Sequence, residues 1–247
     1  MISVCIATYN GEKYIEEQLH SILKQLSKHD EVIISDDRSC DETLQIIKNL
    51  RDNRIKVYTN QSNSSVHHFS KNHYKVTSNF ENALNHAKGD YIFLSDQDDI
   101  WMENKVEKCL KYLQNNDFVL SNRSIINAEG KILEATYNKT NPIANTLFAN
   151  LVKLSFPGCC MAFRRNILKD ALPFPENLIM HDGWIFLLAF AKKKRIVFID
   201  EPLIKYRRHL QNVSPSAITN NNPLYFKIWY RFILYCQLRR RLWNTRI

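Results

Sequence analysis

Ile2-Ser3-Val4-Cys5-Ile6-Ala7-Thr8-Tyr9-Asn10-Gly11 opens the chain, and the fold turns on how this stretch is read. Ile2 to Ala7 is short and almost wholly apolar, the pattern of a strand buried on both faces. Behind it, Tyr14, Ile15, Leu19, Ile22, Leu23 and Leu26 recur at helical spacing across Glu12 to Leu26. The alternation then repeats. Glu31 to Ser35 reads as a strand, Asp41 to Leu50 as a helix and Arg54 to Tyr58 as a strand. Phe80 to Ala87 reads as a short helix stopped at Gly89, Tyr91 to Leu94 as a buried strand and Glu103 to Leu113 as a helix. Strands and helices in this order predict an α/β fold, a mostly parallel sheet flanked by helices. Gln61 to Ser78 is polar, led by Ser62-Asn63-Ser64-Ser65, and predicts a long loop of the functional or mobile kind.

After Phe118 the pattern weakens. Phe118 to Leu120, Met161 to Arg164 and Ile196 to Ile199 predict strands, Glu129-Gly130 a turn, and Ile143 to Leu154 and Trp184 to Ala191 helices. Pro223 onward predicts a separate helical element. With 247 residues, 45% hydrophobic and 11% aromatic, the chain can bury a real core and is too rich in aromatics for global disorder. No apolar run is long enough for a spanning helix. The apolar opening has neither a basic leader region nor a cleavage site, so no signal peptide is expected. Six cysteines without a CxxC pair (Cys5, Cys40, Cys109, Cys159, Cys160, Cys236) fit a reducing, cytoplasmic setting.

The net charge of +9 is unevenly spread. From Lys192 to the end there are thirteen Lys or Arg against Asp200 and Glu201, a balance of +11, which leaves −2 for the rest. A nucleic-acid-binding module more often carries its basic stripe on the folded body. Here a near-neutral body carries a basic tail.

In open parallel sheets ligands bind at the carboxyl ends of the strands. The first strand delivers Thr8-Tyr9-Asn10-Gly11 there, the second Asp36-Asp37, and the fourth Ser95-Asp96-Gln97-Asp98-Asp99. Carboxylates crowded on one edge repel, so a cation or hydrogen-bond donors must hold them. Helix capping explains one acid per cluster but not all. With no Cys or His cluster nearby in sequence, oxygen ligands favour Mg or Mn, whose shell is commonly completed by substrate phosphates. Five scattered glycines make neither a G-x-G-x-x-G nor a G-K-[ST] loop, which excludes dinucleotide oxidoreductases and P-loop NTPases.

These motifs resemble family 2 glycosyltransferases with the GT-A fold. The likeness runs through Val4 to Gly11, Ile34-Ser35-Asp36-Asp37-Arg38-Ser39 and Gly89 to Trp101, and on through Pro157-Gly158-Cys159-Cys160, His181-Asp182-Gly183-Trp184 and Tyr206-Arg207-Arg208-His209. It covers roughly residues 1–215 in family order. It is especially similar to bacterial enzymes that build surface polysaccharides, rhamnosyltransferases included. The resemblance implies a GT-A domain over 1–215, with 216–247 a basic, aromatic-rich helical tail. It implies that Ala7, Thr8 and Tyr9 line the nucleoside, that Asp37 accepts the N3–H of a pyrimidine, and that Asp96 and Asp98 form the DxD motif. In that motif Asp98 is the metal ligand and Asp96 lies nearer ribose or metal. Asp182 matches the base, and His209 lies in a loop that closes on the diphosphate, beside Arg208. Thr77-Ser78-Asn79 stands where many relatives carry small residues or a cation, so the likeness supplies no diphosphate cation there.

Asp182 precedes Gly183 at a helix start, where its bland role is an N-cap and the helix dipole lowers its basicity. A base is chosen by position first, and a cap and a base can share a site. Trp184 and Trp101 read as core residues that could also stack on a sugar. His67, His68 and His73 are assigned no metal, and Cys159-Cys160 read as packing residues. Tail aromatics from Tyr225 to Trp243 interleaved with Lys227, Arg231 and Arg239-Arg240-Arg241 match an interfacial helix on anionic lipid, or equally a helix docked on the core.

The expectation is an inverting, metal-dependent enzyme that moves a sugar from a UDP- or dTDP-sugar, dTDP-rhamnose favoured, to a lipid-linked glycan. It would work in the cytoplasm, peripheral at the inner face of the plasma membrane, with no nucleic acid partner. A nucleotidyltransferase is the rival enzyme, and a basic nucleic-acid-binding module the rival of another class.

Overall fold

In the computed structural model, which describes residues 1–61, 71–153, 157–209 and 224–244, β1 (Ile2–Thr8) lies at the centre of a parallel half-sheet. Six of its seven residues are buried, as its apolar sequence demands. Helix α1 (Ile15–Leu23) carries the chain to β2 (Glu31–Asp36), and α2 (Thr43–Asn49) to β3 (Ile55–Thr59). Helix α3 (Lys71–His86) then crosses to the other side of β1 and feeds β4 (Tyr91–Ser95). The order β3-β2-β1-β4 is parallel throughout and reverses direction between β1 and β4. That reversal opens the crevice in which such sheets bind ligands.

The second half of the sheet is mixed. After the short β5 (Ile100–Trp101) and α4 (Lys105–Leu113) come β6 (Phe118–Ile126), β7 (Ile132–Glu134) and α5 (Leu147–Lys153). A 3-10 turn at Gly158–Cys160 leads into β8 (Met161–Arg164), followed by α6 (Asn166–Ala171), α7 (His181–Ala191), β9 (Ile196–Arg207) and α8 (Leu224–Asn244). Strand β8 pairs antiparallel with both β4 and β6; β9 runs parallel to β6, and β5 closes the far edge. One face of the sheet buries α1, α2 and α4 around Ile15, Leu19, Ile47 and Cys109; the other buries α3, α6, α7 and α8 around Phe80, Trp184, Phe186 and Leu234.

Several boundaries differ from expectation for traceable reasons. Lys71 to Ser78 is helical, not loop, because the inward positions of this stretch are polar. Thr77 donates to the Ile179 carbonyl and Asn79 to that of Thr8. Hydrophobic periodicity cannot register a face held by hydrogen bonds. Strand β6 runs to Ile126 through Ser121-Asn122-Arg123-Ser124, all buried; Asn122 donates to the Asn138 and Asp200 carbonyls. Strand β9 continues past Asp200-Glu201-Pro202 because register shifts against β6 absorb the interruption. The cysteines are all free, and Cys159 and Cys160 are buried. Helix α8 packs back on the body, with Phe226, Tyr230, Leu234 and Leu238 buried at four-residue intervals. Arg241 pins it by donating to the Asp170 and Leu172 carbonyls.

Candidate active site

The strand register assembles the site. Thr8 pairs with Asp36 and Ile6 with Ser95, so the residues after β1, β2 and β4 emerge side by side on one edge. Asp36 belongs to the scaffold. Its Oδ1 accepts from Thr8 Oγ1 (2.9 Å) and Ser39 Oγ (2.6 Å), and its Oδ2 from the Ser39 amide (2.8 Å). The Thr8 hydroxyl is thereby committed to the fold, and what Thr8 can offer a ligand is backbone. Asp41 likewise accepts from the amide and hydroxyl of Thr43 at the start of α2.

Asp37 faces the other way. Its carboxylate accepts from Asn60 Nδ2 (3.3 Å) and lies 3.6 Å from Lys75 Nζ. The same ammonium stands 5.5 Å from the centre of the Tyr9 ring, which is 50% exposed. Tyr9 is held by its backbone: Gln97 accepts from the Tyr9 amide (2.9 Å) and donates to its carbonyl (3.1 Å), bridging the loops after β1 and β4. The bridge requires Gly11, where a Cβ would stand 2.5 Å from Gln97 Oε1. Ala7, half-buried near the end of β1, packs against the core beside α3. Lys75 and Gln97 escape sequence reasoning for different reasons. Lys75 falls in the stretch expected as loop, and Gln97 sits in view between two aspartates that draw the attention.

The acidic loop after β4 is crowded and dry. Asp96 is pushed up to about 8, chiefly by burial and then by the charges of Asp98 and Asp182. Burial and the charges of Asp98 and Asp96 drive Asp99 well above the carboxylate range. Its Oδ1 accepts from the Arg207 amide (3.0 Å), while its Oδ2 is buried with no hydrogen-bond partner among the described residues. Asp98 Oδ2 lies 2.7 Å from His209 Nε2. Arg207, at the end of β9, clasps the loop: Nε donates to the Asp98 carbonyl (2.8 Å), Nη1 to that of Ala128 (2.9 Å) and Nη2 to Glu17 Oε2 (2.6 Å). Ligand atoms of Asp96, Asp99 and Cys159 fall within 4.8 Å of one another. A thiol and an imidazole therefore do reach the acids, from parts of the chain far away in sequence. Burial keeps the Cys159 thiol well above its ordinary range, so it stays protonated and unsuited to Mg or Mn. Of the acids that offer oxygen to a divalent cation, Asp96 and Asp99 share this cluster, while Asp98 lies outside it and is paired with His209. The orphaned Asp99 oxygen and the raised Asp96 mark a site that lacks positive charge.

Asp182 occupies the first turn of α7 and accepts from the Gly183 amide (2.7 Å) and that of Gly158. Burial nevertheless outweighs these donors and pushes it up to about 6, opposite to the expected effect of the helix dipole. A Cβ at Gly158 would crowd His181 Nε2 at 3.0 Å. His181 itself stacks on Phe80 (4.0 Å), and burial holds its pKa down to about 3.

Other expected contributors lie elsewhere. Trp184 is fully buried and donates to the Ala171 carbonyl, and buried Trp101 donates to Ser95 Oγ, so neither ring has a face for a sugar. Arg208 lies over the Tyr137 ring at 5.6 Å. His73 is on α3, whereas His67 and His68 lie outside the described residues, as does the segment after His209.

The profile of the family described as "Glycosyl transferase family 2" matches residues 3–172. The chain belongs to this family. It is 30% identical to the dTDP-rhamnosyl transferase RfbG of Shigella flexneri, over 92% of this chain and 81% of that protein. It is 29% identical to WfgD of Escherichia coli, a UDP-Glc:alpha-D-GlcNAc-diphosphoundecaprenol beta-1,3-glucosyltransferase, over 90% and 80%. The crystal structure of Staphylococcus aureus TarS 1-349 with UDP-GlcNAc superposes with a TM-score of 0.69 at 24% identity, covering 98% of this chain and 66% of that one. That likeness establishes the GT-A-like fold. The family 2 chain is a glycosyltransferase, which displaces the nucleotidyltransferase and nucleic-acid-binding readings.

Proposed function

We propose that this family 2 glycosyltransferase moves a sugar from a UDP- or dTDP-sugar, with dTDP-rhamnose favoured, onto a lipid-linked glycan of a bacterial surface polysaccharide. At the coarser level it acts on nucleotide sugars for cell-surface polysaccharides, in keeping with the relatives named above. The observation that carries the reading is a convergence at one sheet edge. The Tyr9–Asp37–Lys75 cradle suits a pyrimidine, and the Asp96–Asp98 loop suits a cation that would carry the diphosphate, with Asp182 close enough to feel its charge and to serve as proton acceptor.

In this reading the base stacks on Tyr9 and gives its N3–H to Asp37, while Ala7 and the backbone of Thr8 line the nucleoside. Asp98 and Asp96 hold Mg or Mn, with His209 and Arg208 on the diphosphate side. When bound, the cation supplies stabilisation of the charge that builds on the departing diphosphate. Asp182 accepts the proton of the acceptor hydroxyl as its oxygen attacks the anomeric carbon from the face opposite the diphosphate. The bond to the sugar forms as the bond to the diphosphate breaks, in one inverting displacement. Raised to about 6, Asp182 is ionised at neutral pH yet more basic than an ordinary aspartate.

The test is a donor screen with Mg or Mn, reading released nucleoside diphosphate. Release from dTDP-rhamnose above UDP-sugars supports the favoured donor, release only from GDP-sugars overturns the pyrimidine, and release only from CDP-sugars, whose base has no N3–H, overturns the role of Asp37. An acceptor arm compares a diphosphate-lipid-linked glycan with the same free glycan; equal transfer to both would remove the lipid from the reading.

A further inference from the structure

We infer that the outward face of α8, joined by α5, docks this protein on an anionic lipid surface. The inference goes beyond the reading of the active site, since it uses none of that site's residues. Helix α8 has two apolar faces. The inner one is packed on the core, as described. The outer one exposes Ile228, Phe232 (62%), Tyr235 and Trp243 (66%), and Phe148 (71%) and Val152 stand exposed on α5. The two helices are tied where Arg231 Nε donates to the Val152 carbonyl (3.1 Å). Aromatic side chains do not stay in water at this density without an occupant for the surface.

Charge identifies the occupant. Arg239 and Arg240 are exposed on α8, Lys227 and Arg231 flank its apolar stripe, and Lys153 is exposed at the end of α5. No Asp or Glu follows Glu201 anywhere in the chain. Aromatics interleaved with unopposed cations fit the boundary of an anionic bilayer, where the rings enter the acyl margin and the guanidinium groups meet phosphates. A second copy of the chain fits worse, because a two-fold contact through α8 would bring the cations of both helices into one interface with no acid from either helix. Among the described residues no helix is long and apolar enough to cross a membrane, so the contact is peripheral to the bilayer. The inner face of α8 packs against α7, whose first turn carries Asp182, so docking would hold the candidate site at a fixed orientation to the lipid.

The experiment is co-sedimentation of the full chain with vesicles of phosphatidylglycerol and phosphatidylethanolamine, against vesicles of phosphatidylcholine alone. The wild type is expected on the anionic vesicles only. R239Q/R240Q should lose about thirty-fold of that partitioning, the equivalent of ~1 kcal/mol for each surface-level cation. F232S/W243S should lose more than about tenfold through the apolar area withheld from the bilayer. Both variants should melt like the wild type, because the substituted side chains face outward. Three results would each overturn the inference: binding indifferent to lipid charge, binding unchanged in both variants, or a wild-type dimer that F232S/W243S dissociates while vesicle binding is absent.

Discussion

Asp182 shows how two effects at one residue are decided by magnitude. Amides at the start of α7 favour its charged form, but removal from water disfavours that form more strongly, and the carboxyl settles at about 6. A base must be ionised to accept a proton, so turnover should fall as pH drops through about 6, roughly tenfold per unit below it. Replacing Asp182 with Asn keeps shape and polarity but cannot take the proton. Turnover should drop by roughly two to four orders of magnitude with donor affinity retained, as steady-state kinetics and calorimetry with the nucleotide would measure. Loss of nucleotide binding in that variant would make Asp182 a purely structural cap. Gln97 poses the complementary case, a residue that touches the fold rather than the reaction. Its two hydrogen bonds to the Tyr9 backbone, each worth about 1 kcal/mol, set the ring proposed to stack on the base. Gln97→Ala should therefore raise the donor KM by about tenfold while kcat changes little.

Elements explain what was legible in the sequence and what was not. Strands β1, β2 and β4 were readable because burial on both faces leaves apolar runs, and the acids at their ends followed from the sheet rule. The first turns of α3 and the middle of β6 were not. Their inward residues are Thr77, Asn79, Ser121 and Asn122, whose burial rests on partners distant in sequence. The same blindness hid Lys75, and it hid how Arg207 and His209 return to the β4 loop from the far end of the sheet. Helix α8 was half legible, since its aromatic and basic composition showed in the sequence but the division into two faces required the packing. That division makes a prediction at the scale of the helix. Leu234→Ala removes a buried side chain on the inner face and should cost about 2–5 kcal/mol, visible as a lowered denaturation midpoint. Phe232→Ala, two residues away on the exposed face, should stay within about 0.5 kcal/mol. Equal losses would mean that α8 is covered on both sides.

For the whole molecule, folding confines Asp96, Asp98, Asp99 and Asp182 to a single crevice, and the pH dependence of stability reports that confinement. Asp96 and Asp182 have folded-state pKa values raised to about 8 and about 6, above the ordinary aspartate value. Their protons are therefore bound more tightly by the folded chain than by the unfolded one. The stabilisation this gives is fully present below about pH 4 and is lost as pH rises through 6 and then 8. A divalent cation held at Asp96 would compete with the Asp96 proton for the same oxygens. Metal should accordingly stabilise the protein most where the protons have gone. Thermal melting with and without Mn, set against chelator, should show a larger upward shift near pH 8 than near pH 5.5. Asp98→Ala should abolish most of that shift, because it removes a carboxylate proposed to hold the cation while leaving Arg207 bound to the main-chain carbonyl of residue 98. A shift of equal size at both pH values, or one that survives Asp98→Ala, would place the cation away from this crevice. The crowded acids would then be held by Arg207, His209 and buried protons.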